Sequence, residues 1–334
     1  AVARAAPGAL TRFAKPSASA SSAPSLRAVR IRSAARPGPS KRASATPPRR
    51  APPSVAPRAE TIRIDADLDG RDEVFVHDAA AQVVVCDDGS ATAVELTSYP
   101  LRHNFGDTLT RRREHYYRHL TVDAQAHAQD GGIASAHDRV AFLHEIHPSD
   151  AEPDLHPRRS FRDALRTGGG DWLDPQYSPL ADDAVAFAAQ LAGGTIAKRY
   201  AVTGSGIAVR YTVALDAPAE LRVELNLAMP SCDGFLGRIV RGGVVLGGFG
   251  ESHGLEDVRS VALEDGVLGG AVKLECNRPC ALEVAPLRTV SQSEAGFEKI
   301  MQAVTLRLVW RLPAGSHDVG VQLAFVRDDA TVNE

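Results

Sequence analysis

Aromatic residues are scarce in this 334-residue chain, with two Trp, six Tyr and ten Phe making up 5% of it. Any site that relies on flat ring faces is therefore confined to a handful of positions. Cysteine is scarcer still: Cys86, Cys232, Cys276 and Cys280 are too few for a disulfide scaffold in a chain of this length. No stretch approaches the ~20 consecutive apolar residues of a membrane-spanning helix. The roughly 7–15-residue apolar core of a secretory signal is missing as well. The glycine-rich stretches Gly168–Gly170 and Gly242–Gly250 lack the Gly-Lys-Ser/Thr ending and the following helix of a phosphate-cradling loop. No Gly-x-Ser-x-Gly elbow occurs, and Ser, His and Asp are too scattered to suggest a triad.

Acidic residues are absent from the first 59 positions, which hold 12 Lys/Arg, 10 of the 21 prolines and one aromatic, Phe13. Residues 60–334 then carry 26 basic and 41 acidic groups, a net charge of −15, so the formal −3 of the chain describes neither part. An acidic body lacks the basic face that phosphate neutralisation needs, so no nucleic acid is expected as its partner, and no membrane either. Residues 1–59 cannot bury enough apolar surface to offset their ordering entropy and are expected to be disordered. Basic, Ser/Ala-rich and acid-free is the composition of an organelle transit segment. The many Ser and Pro residues between Ser17 and Ala35 break any amphipathic helix, which suits the plastid (chloroplast) stroma better than the mitochondrial matrix, the alternative. A generic tail or a nucleic-acid-binding tail has a similar composition.

What the remainder does contain is alternation. Leu221, Val223, Leu225 and Leu227 interleave with Arg222, Glu224 and Asn226. Val319–Phe325 repeats the pattern, as does Thr305–Leu312, where Trp310 falls on the apolar side with Leu306 and Leu308 and reads as core. Short alternating runs separated by Gly, Pro and Asp predict an antiparallel sandwich over 60–334 as one domain. The pattern loosens between about 105 and 190. There Asp107–His119 reads as a short helix with Asp107 as N-cap, and Asp138–Glu145 and Arg159–Leu165 as further helical turns. Ser291 and Glu294 have the spacing of a capping box, which predicts a helical segment over 295–302.

The metal motifs fail on spacing. His144 and His147 lie three apart rather than four, with Pro148 ending any helix, so His137, His144, His147 and His156 are not expected to hold zinc. Cys276 and Cys280 lack a second ligand pair and read as free thiols. Asp65-Ala66-Asp67-Leu68-Asp69-Gly70 opens like an EF-hand loop, but the twelfth position is Val76, so calcium is not expected. No metal and no cofactor are called for.

Five blocks then carry a resemblance: DGRDEVFV (Asp69–Val76), LTRRREHYY (Leu109–Tyr117), IASAHD (Ile133–Asp138), VELNLAMPS (Val223–Ser231) and SQSEAGFEKIMQAV (Ser291–Val304). In that order they are similar to the C-terminal domain of glycoside hydrolase family 57 α-amylases and 4-α-glucanotransferases. The resemblance implies an antiparallel, galactose-mutarotase-like β-supersandwich and a setting in α-glucan metabolism. It also implies that the catalytic carboxylates belong to an N-terminal (β/α) barrel with no counterpart here, so no catalytic residue is carried over. Phe297 stands where the family has Trp, and Tyr117 where a His is common. The expected role is non-catalytic, binding an α-glucan or maltooligosaccharide or docking on a separate glucan-active catalytic subunit. Candidates within or near the matching blocks are Arg112, Glu114, His115, Tyr116, Tyr117, Ser293, Glu294 and Phe297. Trp172 and Tyr177 join them because sugars favour aromatic faces beside polar groups. The alternatives are a glycoside hydrolase, a glucanotransferase or an aldose-epimerase-like enzyme using groups such as Glu114, His115, Asp138 and Glu294, or a fragment of a full-length glucanotransferase.

Overall fold

The structure, a computed structural model, describes residues 59–120, 146–293 and 296–328. The basic arm, His137, Asp138, His144 and Glu294 lie outside the described residues.

From Glu60 the described residues run as a meander. Strands β1 (Glu60–Ile64), β2 (Glu73–His77), β3 (Ala81–Cys86), β4 (Ala93–Ser98) and β5 (His103–Asn104) pair in sequence order as an antiparallel five-stranded sheet. Alternation sends Val74, Val76, Val83, Val85 and Leu96 inward, where they are buried. Against this layer packs a twelve-stranded sheet, reached through β2 and β3. It contains β6 (Arg162–Thr167), β7 (Ser178–Leu180), β8 (Asp183–Leu191), β9 (Gly194–Val202), β10 (Gly206–Leu215) and β11 (Ala219–Leu227). It continues with β12 (Gly237–Arg241), β13 (Val244–Gly247), β14 (His253–Asp265), β15 (Gly270–Ser293), β16 (Gly296–Leu312) and β17 (Gly315–Arg327). Every strand pairing is antiparallel, which gives the β-supersandwich expected from the period-two pattern. Trp310 is buried in the shared core with Leu306 and Leu308, its indole N–H donating to the Arg278 carbonyl.

The 24-residue β15 turns a corner. Its first part, up to Cys276, pairs with β17, and its second part, from Ala281, pairs with β16. On the β14 side, Ser260 faces Glu275 and Val258 faces Cys280, so the stretch Cys276–Pro279 opposes Arg259 alone. Pro279 cannot donate to a ladder, and the bulge relieves the sheet of that demand.

Three local expectations give way to tertiary pairing. Residues 107–114 are not helical; a 3-10 turn forms only over His115–Leu120. The backbone here bonds sideways instead: Arg111 N–H donates to Asp154 Oδ2, Asp154 N–H to the Arg111 carbonyl, and the Thr108 hydroxyl to the Arg158 carbonyl. The expected turn at Arg159–Leu165 becomes strand β6 from Arg162 onward, drawn in by the free edge of β11. The expected helix at 295–302 is the start of β16, whose Gly296 faces Ser293 across a hairpin. A capping box is worth about 1 kcal/mol, less than a ladder with burial of Phe297 and Met301.

Candidate functional site

Where β6, β11, β16 and β15 lie side by side, the pleat sends Leu221, Val223 and Leu225 into the core and Arg222, Glu224 and Asn226 to the opposite face. The register aligns Arg162, Glu224, Arg307 and Glu283 as one row across four strands, with charges alternating in sign. Arg307 Nε donates to Glu224 Oε2 at 2.8 Å and its Nη1 to Glu283 Oε1 at 3.0 Å. Asn226 Nδ2 donates to Glu224 Oε1 at 3.2 Å and Arg162 Nη2 to Asp174 Oδ2 at 2.5 Å.

The segments at 152–158 and 172–174 fold over this floor and leave an open cleft of about 700 Å³. One wall is anchored by Asp154, which receives Arg111 through Nε at 3.0 Å and Nη2 at 2.7 Å, and Arg158 Nη2 at 2.5 Å. Burial works against the Asp154 charge, but the hydrogen bonds from Arg158 and Arg111 outweigh it and hold the carboxyl at about 2. Glu224 behaves alike: burial opposes ionisation, yet Arg307 and Asn226 keep it below the usual carboxylate range. The rim is apolar, with Leu155 94% and Leu173 66% exposed beside Trp172. Two guanidiniums stack on the Trp172 ring, Arg166 at 4.5 Å and Arg222 at 4.4 Å from its centroid. Apolar edges beside a polar, hydrogen-bonding floor suit a polyhydroxylated ligand with C–H faces.

Of the candidates expected from sequence, Trp172 lines this cleft. Tyr116 and Tyr117 meet at a second place, where both hydroxyls donate to the Val290 carbonyl, at 3.1 and 3.3 Å, and the rings pack edge-on at 5.0 Å. Burial, with Tyr116 and Glu114 alongside, pushes the Tyr117 hydroxyl up to about 12. Phe297 is buried beneath Tyr116, with ring centroids 6.1 Å apart, so it offers no face to a ligand. Ser293 donates to the Gly296 carbonyl at 3.3 Å within the hairpin. Arg112, Glu114 and His115 are exposed and do not line the cleft. Tyr177 is buried, its hydroxyl donating to Asp163 Oδ2 at 2.9 Å, and belongs to the interior rather than to a sugar-facing surface. In the sequence the apolar half of each alternating run marks the core, and nothing marks the charged row as a site. Its only trace is the other half, Arg222-x-Glu224-x-Asn226 and Arg307, together with the distant Asp154 and Arg158, whose proximity no spacing reveals.

Among the described residues, one group could supply metal ligands: oxygens of Asp65, Asp67 and Glu73 lie within 4.8 Å of one another. Asp65 Oδ1 is buried there without a hydrogen-bond partner, an arrangement of oxygen donors that suits a hard cation. The geometry is not an EF-hand, because Val76 at the twelfth position is buried in β2. His147 is exposed and His156 lies 3.5 Å from Asp174. Cys276 and Cys280 are buried free thiols, and the hydrogen bond between them together with burial pushes Cys276 well up, away from thiolate chemistry.

Comparison with known proteins places this geometry in context. The family described as Alpha-amylase/4-alpha-glucanotransferase, C-terminal, matches residues 65–323. The 4-alpha-glucanotransferase of Thermococcus kodakarensis is 27% identical over 270 residues, which are 74% of this chain and 38% of that protein. The alpha-amylase of Pyrococcus abyssi is 23% identical over 267 residues, again 74% of this chain and 38% of that protein. The crystal structure of the 4-alpha-glucanotransferase from Thermococcus litoralis superposes with a TM-score of 0.58 at 18% identity, covering 80% of this chain and 39% of that one. The chain thus spans well under half the length of these relatives.

Proposed function

This chain belongs to the alpha-amylase/4-alpha-glucanotransferase C-terminal domain family, a domain of carbohydrate metabolism, and from that premise we propose that it binds α-glucan non-catalytically in the cleft over β6, β11, β16 and β15. The observation that carries the reading is the pairing of an apolar rim, Leu155, Trp172 and Leu173, with a floor of hydrogen-bonding side chains in an open 700 Å³ cleft. The relatives' names, a glucanotransferase and an amylase, supply the substrate class. The ionisation of Asp154 and Glu224, two of the carboxyls that line the cleft, favours binding over turnover. Glycoside hydrolysis needs one carboxyl kept protonated beside a second that is ionised. Arginines hold both Asp154 and Glu224 in the charged form. The Tyr116/Tyr117 surface beside β15 is the proposed docking face for a separate glucan-active subunit.

Calorimetric titration with maltoheptaose tests the reading. The expected Kd lies in the micromolar to millimolar range, roughly −8 to −4 kcal/mol. Trp172→Ala should weaken it about tenfold, about 1.4 kcal/mol, with the melting temperature nearly unchanged. Tyr116→Ala, whose ring lies outside the cleft, is the comparison. Rapid conversion of maltooligosaccharides by the purified chain would reverse the non-catalytic reading, and equal affinity in wild type and Trp172→Ala would remove the cleft from it.

A further inference from the structure

The arginines of the cleft are not equally engaged. Arg111 and Arg158 share Asp154, Arg162 holds Asp174, and Arg307 bridges Glu224 and Glu283. Arg222 makes no hydrogen bond and no ion pair among the described residues; the Trp172 ring lies 4.4 Å from its guanidinium, and Glu224 and Asp174 act on it only at longer range. The register explains why. The row on one side of it reads Arg162, Glu224, Arg307, and the row on the other side reads Arg166, Glu220, Arg311. In the row between them Arg222 is flanked by Ala164 and Val309, so the acid that each neighbouring row provides is missing. A charged group on a sheet face is stabilised by an opposite charge directly across the strand, and here the two cross-strand positions are apolar.

A second unfilled donor lines the same cleft. Arg158 Nε is buried without a partner, although both terminal nitrogens of that side chain are engaged. Burial makes the Arg222 charge less favourable; Glu224 and, more weakly, Asp174 offset this, while Arg307 and Arg162 add repulsion. An oxyanion beside Arg222 would accept from a guanidinium that lies over the Trp172 ring, and arginine can bind a carboxylate or phosphate through two parallel hydrogen bonds.

We infer that the cleft recognises a sugar carrying an anionic substituent, a phosphate monoester or a carboxylate, with Arg222 as the residue that binds the oxyanion. This deepens the α-glucan reading and rests on it. The alternative occupant of the Arg222 fork, an acidic side chain of a docking protein, predicts no gain from charging the sugar.

NMR titration of the full chain at low ionic strength with glucose, glucose 6-phosphate, glucuronate and inorganic phosphate separates the possibilities, with maltoheptaose as the neutral reference. Charged sugars should bind at least tenfold tighter than glucose, and the gain should shrink as salt screens the contact. Glucose 6-phosphate against glucuronate tells which oxyanion the site favours. In Arg222→Gln the ratio of charged to neutral affinity should fall at least tenfold, and Arg222→Lys, which keeps the charge but not the fork, should fall between. If maltoheptaose binds while charged sugars gain nothing, or the ratio is unchanged in Arg222→Gln, this inference is overturned and the α-glucan reading stands. If inorganic phosphate binds as tightly as glucose 6-phosphate, the sugar plays no part and the inference is overturned too. If neither maltoheptaose nor any sugar binds, the parent reading fails first.

Discussion

Lys198 is fully buried, its ammonium 2.7 Å from Asp163 Oδ2 and 2.5 Å from the Phe161 carbonyl. Tyr211 and Tyr177 donate to the two oxygens of Asp163, each at 2.9 Å, and the rings of Tyr177, Tyr200 and Tyr211 lie 5.3–5.7 Å from the Lys198 nitrogen. Burial lowers the lysine and raises the aspartate, while their mutual attraction opposes both shifts. Taking away one member leaves an uncompensated charge in the interior. Lys198→Met should therefore cost roughly 3–5 kcal/mol of unfolding free energy, and Lys198→Met with Asp163→Leu should recover much of it. Urea denaturation measures both; a single-variant loss under 1 kcal/mol would mean that the pair is not a stabilising unit. The inward position of Lys198 is written in the period of β9, between Ile196 and Tyr200. Its partner, 35 residues earlier in β6, is not, because complementary charge leaves no mark at that separation.

The strands themselves were the legible part of the chain. Apolar alternation marks β11, β16 and β17 because each buries one face, and Trp310 sits inside as its neighbours require. Local helix signals misled at 107–119 and 295–302, where the chain's hydrogen-bonding groups found partners 43 residues away or across a hairpin. The cleft was legible only at Trp172, since its floor depends on which strands lie side by side. The hairpin arrangement has a measurable signature. Residues 296–303 of β16 pair with β15 alone, whereas 304–309 have β11 on the other edge as well. Amide exchange should show alternating protection in the first stretch and continuous protection in the second. Strand β1, exposed throughout and paired only with β2, should exchange fastest of the sheet. Unbroken protection from 297 to 303 would point to a helix there instead.

At the scale of the whole molecule, charge divides the chain into a basic beginning and an acidic remainder of net −15. We propose that the basic segment is an organelle address. Fusion of residues 1–58 to a fluorescent reporter should deliver it to plastids, and cytosolic or nuclear retention would favour the generic or nucleic-acid-binding tail. The pairing pattern carries a separate consequence in time. Gly206 at the start of β10 pairs with Ala324 in β17, and β15 serves β14, β16 and β17 at once. Contacts that distant close slowly, on the order of milliseconds to seconds. During synthesis, therefore, β10 and β11 each wait with one edge unpaired until β17 and β16 respectively have left the ribosome.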